Sequence, residues 1–271
     1  MWHVDLYNVL NTINTVVLYI IGIPFILQFI YMLLFWLPKK TFKKSEKKNK
    51  ICVIIPAHNE EDVIYDTVKR LYDKQNYPKD MFDVYVVAHN CNDKTAELAE
   101  KAGAKVFALN DPDPKHGRAA YALKHGFEQI LATGIDYDFV IRLDADNHIN
   151  DDFFSLINDA YNSGCKIARP YESALNMTQN KFTKACGLYY SFDSRFSSRV
   201  RERLHIDAHV NGPGSMFAYE IIKNIGGYDT TSITEDTEFM FKRMLEGYKC
   251  HFVEDAVVYE DLPSTYKDTS S

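Results

Sequence analysis

Cysteine is scarce in this chain of 271 residues. The five, Cys52, Cys91, Cys165, Cys186 and Cys250, are scattered, and their odd number argues against a full disulfide framework. They read as reduced structural residues, which fits a cytosolic compartment. No Cys/His cluster has zinc spacing. There is no glycine–lysine–serine phosphate loop, and no glycine-rich dinucleotide fingerprint follows the first strand-like run. Internal repeats are absent. Positive charge is also in deficit: 31 Lys and Arg stand against 37 Asp and Glu, for a net charge of −6. Nearly all of the basic excess sits in one short block, so the part beyond residue 50 is acidic, which argues against nucleic acid as a partner. Hydrophobic residues make up 46% of the chain, enough for a substantial core.

The basic block is residues 38–50, "PKKTFKKSEKKNK", with seven lysines and one glutamate. It follows the uncharged run "VVLYIIGIPFILQFIYMLLFWLP", residues 16–38, which is long enough to span a bilayer core as a helix. Gly22, Pro24 and Gln28 weaken the run without excluding a span. Tyr31 and Trp36 lie toward the lysine end, where interfacial aromatics sit. The positive-inside rule puts the lysines in the cytosol and the amino terminus outside. A cleaved signal peptide fits less well, because its positive charges would precede the apolar run. A buried amphipathic helix is the bland alternative. The expected organisation is an extracytoplasmic segment (1–15), a transmembrane helix (16–38), a basic juxtamembrane linker (39–50) and a domain over 51–271. The chain would then be a single-pass protein of the cell membrane with that domain on the cytoplasmic side.

From residue 51 the pattern alternates. "ICVIIP", "FDVYVVA", "AKVFAL" and "YDFVIRL" read as strands. "EEDVIYDTVKRLYDKQ", "KTAELAEKAG", "RAAYALKHGFEQILATG" and "DDFFSLINDAYNSG" read as helices, the second stopped by Gly103 and the third ending at Gly134. Alternation at this spacing implies βαβ crossovers and an α/β fold with a mostly parallel sheet. Further on, "KFTKACGLYYSFDSRFSSRVRERL" reads as one long helix or two short ones. "NGPGSMFAY" reads as a loop into a short strand. "GGYDTTSITEDTEFMFKRMLEGY" reads as a loop and a helix, and "KCHFVEDAVVYEDLPST" as two strand-like runs.

Ligands in open parallel sheets bind beyond the carboxyl ends of the strands. The residues there are His58, Asn59 and Glu60; His89 to Asp93; and Asp144 with Asp146. Two carboxylates one residue apart either end a strand or hold a hard cation such as Mg²⁺ or Mn²⁺ through oxygen. At "ITEDTEFMFKRMLEGY", Thr234 is a plausible N-cap, and Glu235, Asp236 and Glu238 in the first turn suit the helix dipole. That account is complete in itself, yet a carboxylate kept ionised there could also accept a proton.

In order, "VIIPAHNEEDVIYDTVKRL", "VVAHNCNDKTAELA", "HGRAAYALKHGF", "FVIRLDADNHINDDFF", "NGPGSMFAYEIIKNIGGYD" and "ITEDTEFMFKRMLEGYK" resemble the blocks of family 2 glycosyltransferases. The nearest look is that of membrane-embedded β-glycan synthases of the cellulose, chitin and poly-N-acetylglucosamine type. The resemblance covers about residues 51–266 and implies the GT-A nucleotide-sugar transferase fold, a mostly parallel sheet flanked by helices. It implies a divalent cation, Mn²⁺ or Mg²⁺, at Asp146 with Asp144 sharing metal and nucleotide, and Asp236 as the base. It places the nucleotide sugar on Pro56, Ala57, His58, Asn59, Glu60, His89 and Arg118. Gly212, Gly214, Glu235 and Asp236 fall on the acceptor side. For Asn59 the plain alternative is a helix cap, for Arg118 a solvated charge at a helix start, and for the glycines a simple turn. Arg199, Arg201 and Arg203 either face phosphates or form an exposed helix face.

Two departures qualify the resemblance. Many relatives carry an aspartate after strand two that bonds the base, whereas this chain has Ala88 and His89. A UDP-sugar remains the expected donor, since histidine can still donate or accept; a structural histidine is the alternative. The Gln-x-x-Arg-Trp block of processive relatives is absent before Ser271. That points to a truncated chain, a partner chain supplying the rest, or a shorter enzyme. The expected function is a membrane-anchored, metal-dependent inverting transfer to a polysaccharide or lipid-linked acceptor. A transferase to polyprenyl phosphate and a non-catalytic nucleotide-binding subunit are the rivals.

Overall fold

A computed structural model describes residues 6–113, 119–208, 212–230, 232–262 and 264–265. The alternating part folds as expected. Strands β1 (Ile51–Ala57), β2 (Phe82–His89), β3 (Lys105–Leu109) and β4 (Phe139–Arg142) pair in parallel, with β1 between β2 and β4. β1 and β2 are almost wholly buried, as strands covered on both faces must be. Helix α2 (Ile64–Lys74) buries Ile64, Thr67, Val68 and Leu71, one stripe at helical spacing. Helix α3 (Thr95–Ala102) ends at Gly103, whose φ of +106° lets its N–H reach the carbonyls of Ala99 and Glu100. Helix α4 (Ala119–Ala132) covers the opposite face of β1 and β2.

Beyond β4 the order changes. β5 (His148–Ile149) and α5 (Phe153–Asn162) are followed by β6 (Ile167–Ala174), α6 (Lys181–Phe192) and α7 (Arg199–Arg203). A π-helical stretch, Asp193–Ser198, joins α6 to α7, so the expected long helix exists but is interrupted. β7 (Met216–Ala218), α8 (Tyr219–Ile225), α9 (Glu235–Leu245) and β8 (Cys250–Glu260) complete the domain. The eight-stranded sheet runs β3-β2-β1-β4-β7-β6-β8-β5. It is mixed rather than simply parallel: β7 is antiparallel to both β4 and β6, and β5 to β8. The two strand-like runs at 250–260 are one strand. Its register against β6 jumps from Pro170↔Val253 to Tyr171↔Val257, so Glu254, Asp255 and Ala256 bulge out. The bulge aims Glu254 at Arg199 and Asp255 at Lys39.

Apolar layers lie on both faces of the sheet. One joins Ile51, Val53 and Ile55 to α2, α3 and α5 through Ile64, Ala99, Phe153 and Phe154. The other joins Ile54 and Val87 to α4, α8 and α9 through Phe127, Ile222 and Phe239. Truncating a fully buried ring such as Phe139 would cost roughly 3–5 kcal/mol.

Before the domain stands α1 (Leu6–Leu34), 29 residues with none buried. By length and composition it could cross a membrane. It begins earlier than the expected run and ends before it. The lysine segment that follows is fastened along the domain rather than free. Lys39 pairs with Asp255 at 2.5 Å, Lys40 pairs with Glu202, and the Lys50 N–H donates to Asp138 at 2.7 Å. Asn49 is buried against Asn158 and Tyr77. Burial works against the Glu202 carboxylate, but hydrogen bonds from His251, Lys40 and the Phe252 N–H hold its pKa down at about 2.

Candidate active site

The ends of β1, β2 and β3 are knitted into one edge. Asn59 and Asn90 adopt left-handed conformations, with φ of +56° and +52°, as the chain leaves β1 and β2. The Asn90 side chain accepts from the Asp111 N–H at 2.7 Å, and Asn59 from the Asn92 N–H at 2.9 Å. His58 Nδ1 lies 2.8 Å from the His89 carbonyl, which assigns the proton to Nδ1. The Glu60 N–H donates to Thr95 Oγ1 at 2.7 Å. These bonds fix a cavity of about 300 Å³ lined by Pro56, Ala57, His58, Glu60, His89, Ala119, Ala122, Asp144, Ala145 and Asp146. Asn59 braces the edge but does not line the cavity, and it caps no helix, since α2 starts at Ile64 behind Val63. Arg118 lies outside the described residues.

Asp144 and Asp146 leave β4 on a turn held by Asn147. Its Oδ1 accepts from the Asp144 N–H at 2.9 Å, and its Nδ2 donates to Asp146 at 3.3 Å. Burial, and then the charge of Asp144, raise the pKa of Asp146. Burial, and then Asp146, likewise raise that of Glu60. Crowded, partly buried carboxylates are what a hard cation relieves. Among the described residues no group of three or more His, Cys, Asp or Glu forms a ready metal cage. A pair of carboxylates completed by substrate phosphate oxygens, the usual mode for Mg²⁺, fits this arrangement.

A second cavity, about 270 Å³, is lined by Glu172, Tyr189, Tyr190, Asp193, Gly212, Pro213, Asp236 and Glu260. Asp236 sits at the start of α9, where its Oδ1 accepts from the Thr237 N–H at 2.7 Å. Thr234 holds the N-cap position but makes no side-chain cap, so the helix start is held by Asp236 instead. Glu235 does not line this cavity. It is buried and meets Arg142 at 3.2 Å. Burial raises its pKa against the pull of Arg142.

Arg142 lies between the two cavities, bonded to Asp144 of the first and close against Gly212 of the second, and the sequence reading does not single it out. Its Nη2 donates to Asp144 at 3.0 Å and to Glu235 at 3.2 Å, and the side chain is buried. The signal was available: an arginine inside the apolar run "FVIRL" must find carboxylates if that run is a buried strand. Gly212 makes room for it. A Cβ at Gly212 would stand 1.6 Å from Arg142 Nη1 and 3.0 Å from Asp236 Oδ2. Gly214 serves the backbone: at φ of +69° its N–H donates to the Arg142 carbonyl at 2.8 Å. Glu260 was also missed. Burial and the nearby charges of Glu172, Asp144 and Asp146 push its pKa up to about 8. Two of the three arginines are engaged within the domain: Arg199 pairs with Glu254 and Arg201 donates to the Asp207 carbonyl at 2.6 Å.

Known proteins share this arrangement of sequence and fold. Residues 139–270 match the model of the glycosyl transferase family group 2. The probable glycosyltransferase YdaM of Bacillus subtilis is 27% identical over 228 residues, 80% of this chain and 52% of YdaM. A poly-β-1,6-N-acetyl-D-glucosamine synthase of Staphylococcus epidermidis is 23% identical over 240 residues, 85% of this chain and 56% of the synthase. This chain therefore spans about half the length of these curated relatives. Among solved structures, the mannosyltransferase PcManGT from Pyrobaculum calidifontis, in complex with GDP-Man and Mn²⁺, superposes with a TM-score of 0.65 at 17% identity, over 93% of this chain and 68% of that one. With a family match over its carboxy-terminal part, glycosyltransferase relatives over four fifths of its length and a GT-A-like sheet, the chain is similar to the family 2 glycosyltransferases.

Proposed function

We propose that this chain is the donor- and acceptor-binding catalytic part of a membrane-anchored, metal-dependent inverting glycosyltransferase. The observation that carries the proposal is the pair of cavities with Arg142 between them, bonded to Asp144 of the first and close against Gly212 of the second. One holds Asp144 and Asp146 at the strand ends, and the other holds Asp236 at the start of α9. The nucleotide sugar lies in the first, against Pro56 to His58, Glu60 and His89. Its diphosphate reaches Asp146, where a bound Mn²⁺ or Mg²⁺ would neutralise the charge of the leaving group. Asp236 takes the proton of an acceptor hydroxyl, whose oxygen attacks the anomeric carbon in line. One base and no enzyme nucleophile give a single displacement, hence inversion.

The donor is read as a UDP-sugar from the sequence resemblance. GDP-mannose is its direct competitor, because the PcManGT structure holds GDP-Man. The acceptor is a glycan or the sugar headgroup of a lipid. Glu172, Asp193, Asp236 and Glu260 line its cavity, and among the described residues no lysine or arginine does. Such a lining accepts hydrogen bonds from neutral hydroxyls and repels phosphate, which disfavours polyprenyl phosphate. α1 is the membrane span, with the lysine segment on the cytosolic side. A partner-dependent nucleotide-sugar-binding subunit is the second reading.

The test is turnover of a panel of UDP- and GDP-sugars by the membrane-reconstituted chain with Mn²⁺ or Mg²⁺, beside Asp146→Asn and Asp236→Asn. Turnover of one donor, lost in both variants, is the expected result. Nucleotide binding without turnover, restored by a partner chain, would replace the proposal with the second reading.

A further inference from the structure

Helix α6 is built inside out. Its buried row consists of Thr183 and Gly187, continued by Ser194 and Ser198 in the π-helical stretch. Its outward row is apolar at the centre. Leu188 is 55% exposed, Tyr189 68% and Phe192 40%. Lys181 and Lys184 precede these residues on the same face at helical spacing, and Arg195 follows. A helix on a water-facing surface shows the reverse pattern, polar outward and apolar inward. An outward apolar row between cations is the composition of a helix lying in the headgroup layer of a membrane.

The row is continuous with the end of α1. The Phe192 ring stacks on Phe196 at 5.0 Å, and Phe196 meets Phe35 at 4.6 Å with the rings tilted. Phe35 meets Trp36 at 5.9 Å, and the Arg199 guanidinium lies over Phe35 at 5.1 Å. Aromatic rings and cations collected at the end of an apolar helix mark a membrane–water boundary. The same surface borders the acceptor cavity, because Tyr189 belongs to both.

We infer that the outward face of α6 rests in the headgroup–acyl boundary of an anionic bilayer, and so holds the mouth of the acceptor cavity at the lipid surface. This rests on the reading of α1 as a membrane span, which sets the depth at which α6 meets the bilayer. The three cations fit anionic headgroups, and no carboxylate interrupts the exposed row. An acceptor carried by a lipid would then reach Asp236 without leaving the membrane plane.

The experiment uses the full chain in liposomes of phosphatidylcholine and phosphatidylglycerol. A single environment-sensitive fluorophore is attached at Leu188→Cys or Phe192→Cys, with Cys91 and Cys186 changed to serine. Cys52, Cys165 and Cys250 are buried and stay unlabelled. Ile21→Cys in α1 and Lys69→Cys on α2 report the bilayer interior and the solvent. Lipid brominated near the top of the acyl chains should quench the probes at residues 188 and 192 by roughly half, as expected for shallow burial. The probe at residue 69 should be unaffected, and that at residue 21 should respond most to deeper bromines. Quenching at 21 with none at 188 and 192 would overturn the inference and leave the span intact. Quenching at 188 and 192 without 21 would keep α6 on the membrane and remove the span. Probes at 188 and 192 shielded only as protein concentration rises, with no response to bromine, would assign the face to a second copy of the chain and overturn the inference.

Discussion

Residues 51–143 and residues 165–262 are two halves of one sheet built on different principles. The first is parallel, and β1, β2 and β3 are each followed in sequence by a covering helix, α2, α3 and α4. Its polar residues gather at the strand ends because nothing else is left exposed there. The second half is mixed, and its key strands bury charge: Arg169 and Glu172 both lie inside β6, and Arg142 ends β4 where the halves join. The regular half yields a site for a ligand bound by strand ends. The irregular half yields a cavity whose walls come from β6, α6, α9 and β8, distant in sequence. If the proposed function holds, donor recognition sits in the first half and proton removal in the second, with Arg142 as the physical connection.

The largest effect should separate the halves outright. Asp236→Asn removes the base and leaves the donor cavity untouched, so transfer should fall roughly a hundred- to ten-thousandfold. Nucleotide binding measured calorimetrically with Mn²⁺ should stay unchanged. A parallel loss of nucleotide binding would show that the halves do not act separately. Asp146→Asn should do the opposite. Turnover should fall roughly a hundredfold, about 3 kcal/mol of lost charge stabilisation at the leaving group. Here nucleotide affinity should lose its dependence on Mn²⁺, read from the same titration with and without chelator.

Gly212→Ala tests the boundary. The added methyl would meet the Arg142 guanidinium, so either Arg142 or the 212–215 loop must shift. Overpacking of this kind costs about 1–3 kcal/mol of stability, read as a fall in Tm. Because the displaced guanidinium holds Asp144 and Glu235 together, kcat should also fall, by roughly tenfold, with KM for the donor less affected. A lowered Tm with unchanged kcat would reduce Arg142 to a structural residue.

The two halves were unequally legible. Runs such as "ICVIIP" and "FDVYVVA" carry their burial in their composition, and the helices between them carry a 3.6-residue stripe, so local pattern sufficed. "IARPYESA" forms β6 although it holds an arginine, a proline and a glutamate, and nothing local marks it as buried. Its charges are accommodated by partners far along the chain: Arg169 meets Asp193 at 3.0 Å, and Pro170 sits at the register shift against β8. The site divides the same way. His58, Glu60, Asp144 and Asp146 follow strands, and His89 ends one, so the strand-end rule reaches them. Asp236 and Gly212 rest on resemblance to a family; "FVIRL" shows that Arg142 needs carboxylates but not which ones, and Glu260 is visible only in the tertiary pairing.

The smallest effect concerns Glu260, the point where the irregular half reaches back to the donor carboxylates. Its pKa stands at about 8, against 4.5 for an ordinary glutamate, because burial and then the charges of Glu172, Asp144 and Asp146 disfavour ionisation. A carboxyl raised on folding makes the folded state bind the extra proton. Its contribution to stability is present in full below pH 4.5 and is lost as pH rises through about 8. Tm should therefore decline across that window, and Glu260→Gln, which is neutral throughout, should remove that part of the decline. Mn²⁺ with a nucleoside diphosphate should flatten it as well, because a cation beside Asp144 and Asp146 offsets the charges that keep Glu260 protonated. A Tm profile unaffected by Glu260→Gln would mean that the end of β8 does not sense the donor carboxylates, leaving Arg142 as the link between the two halves.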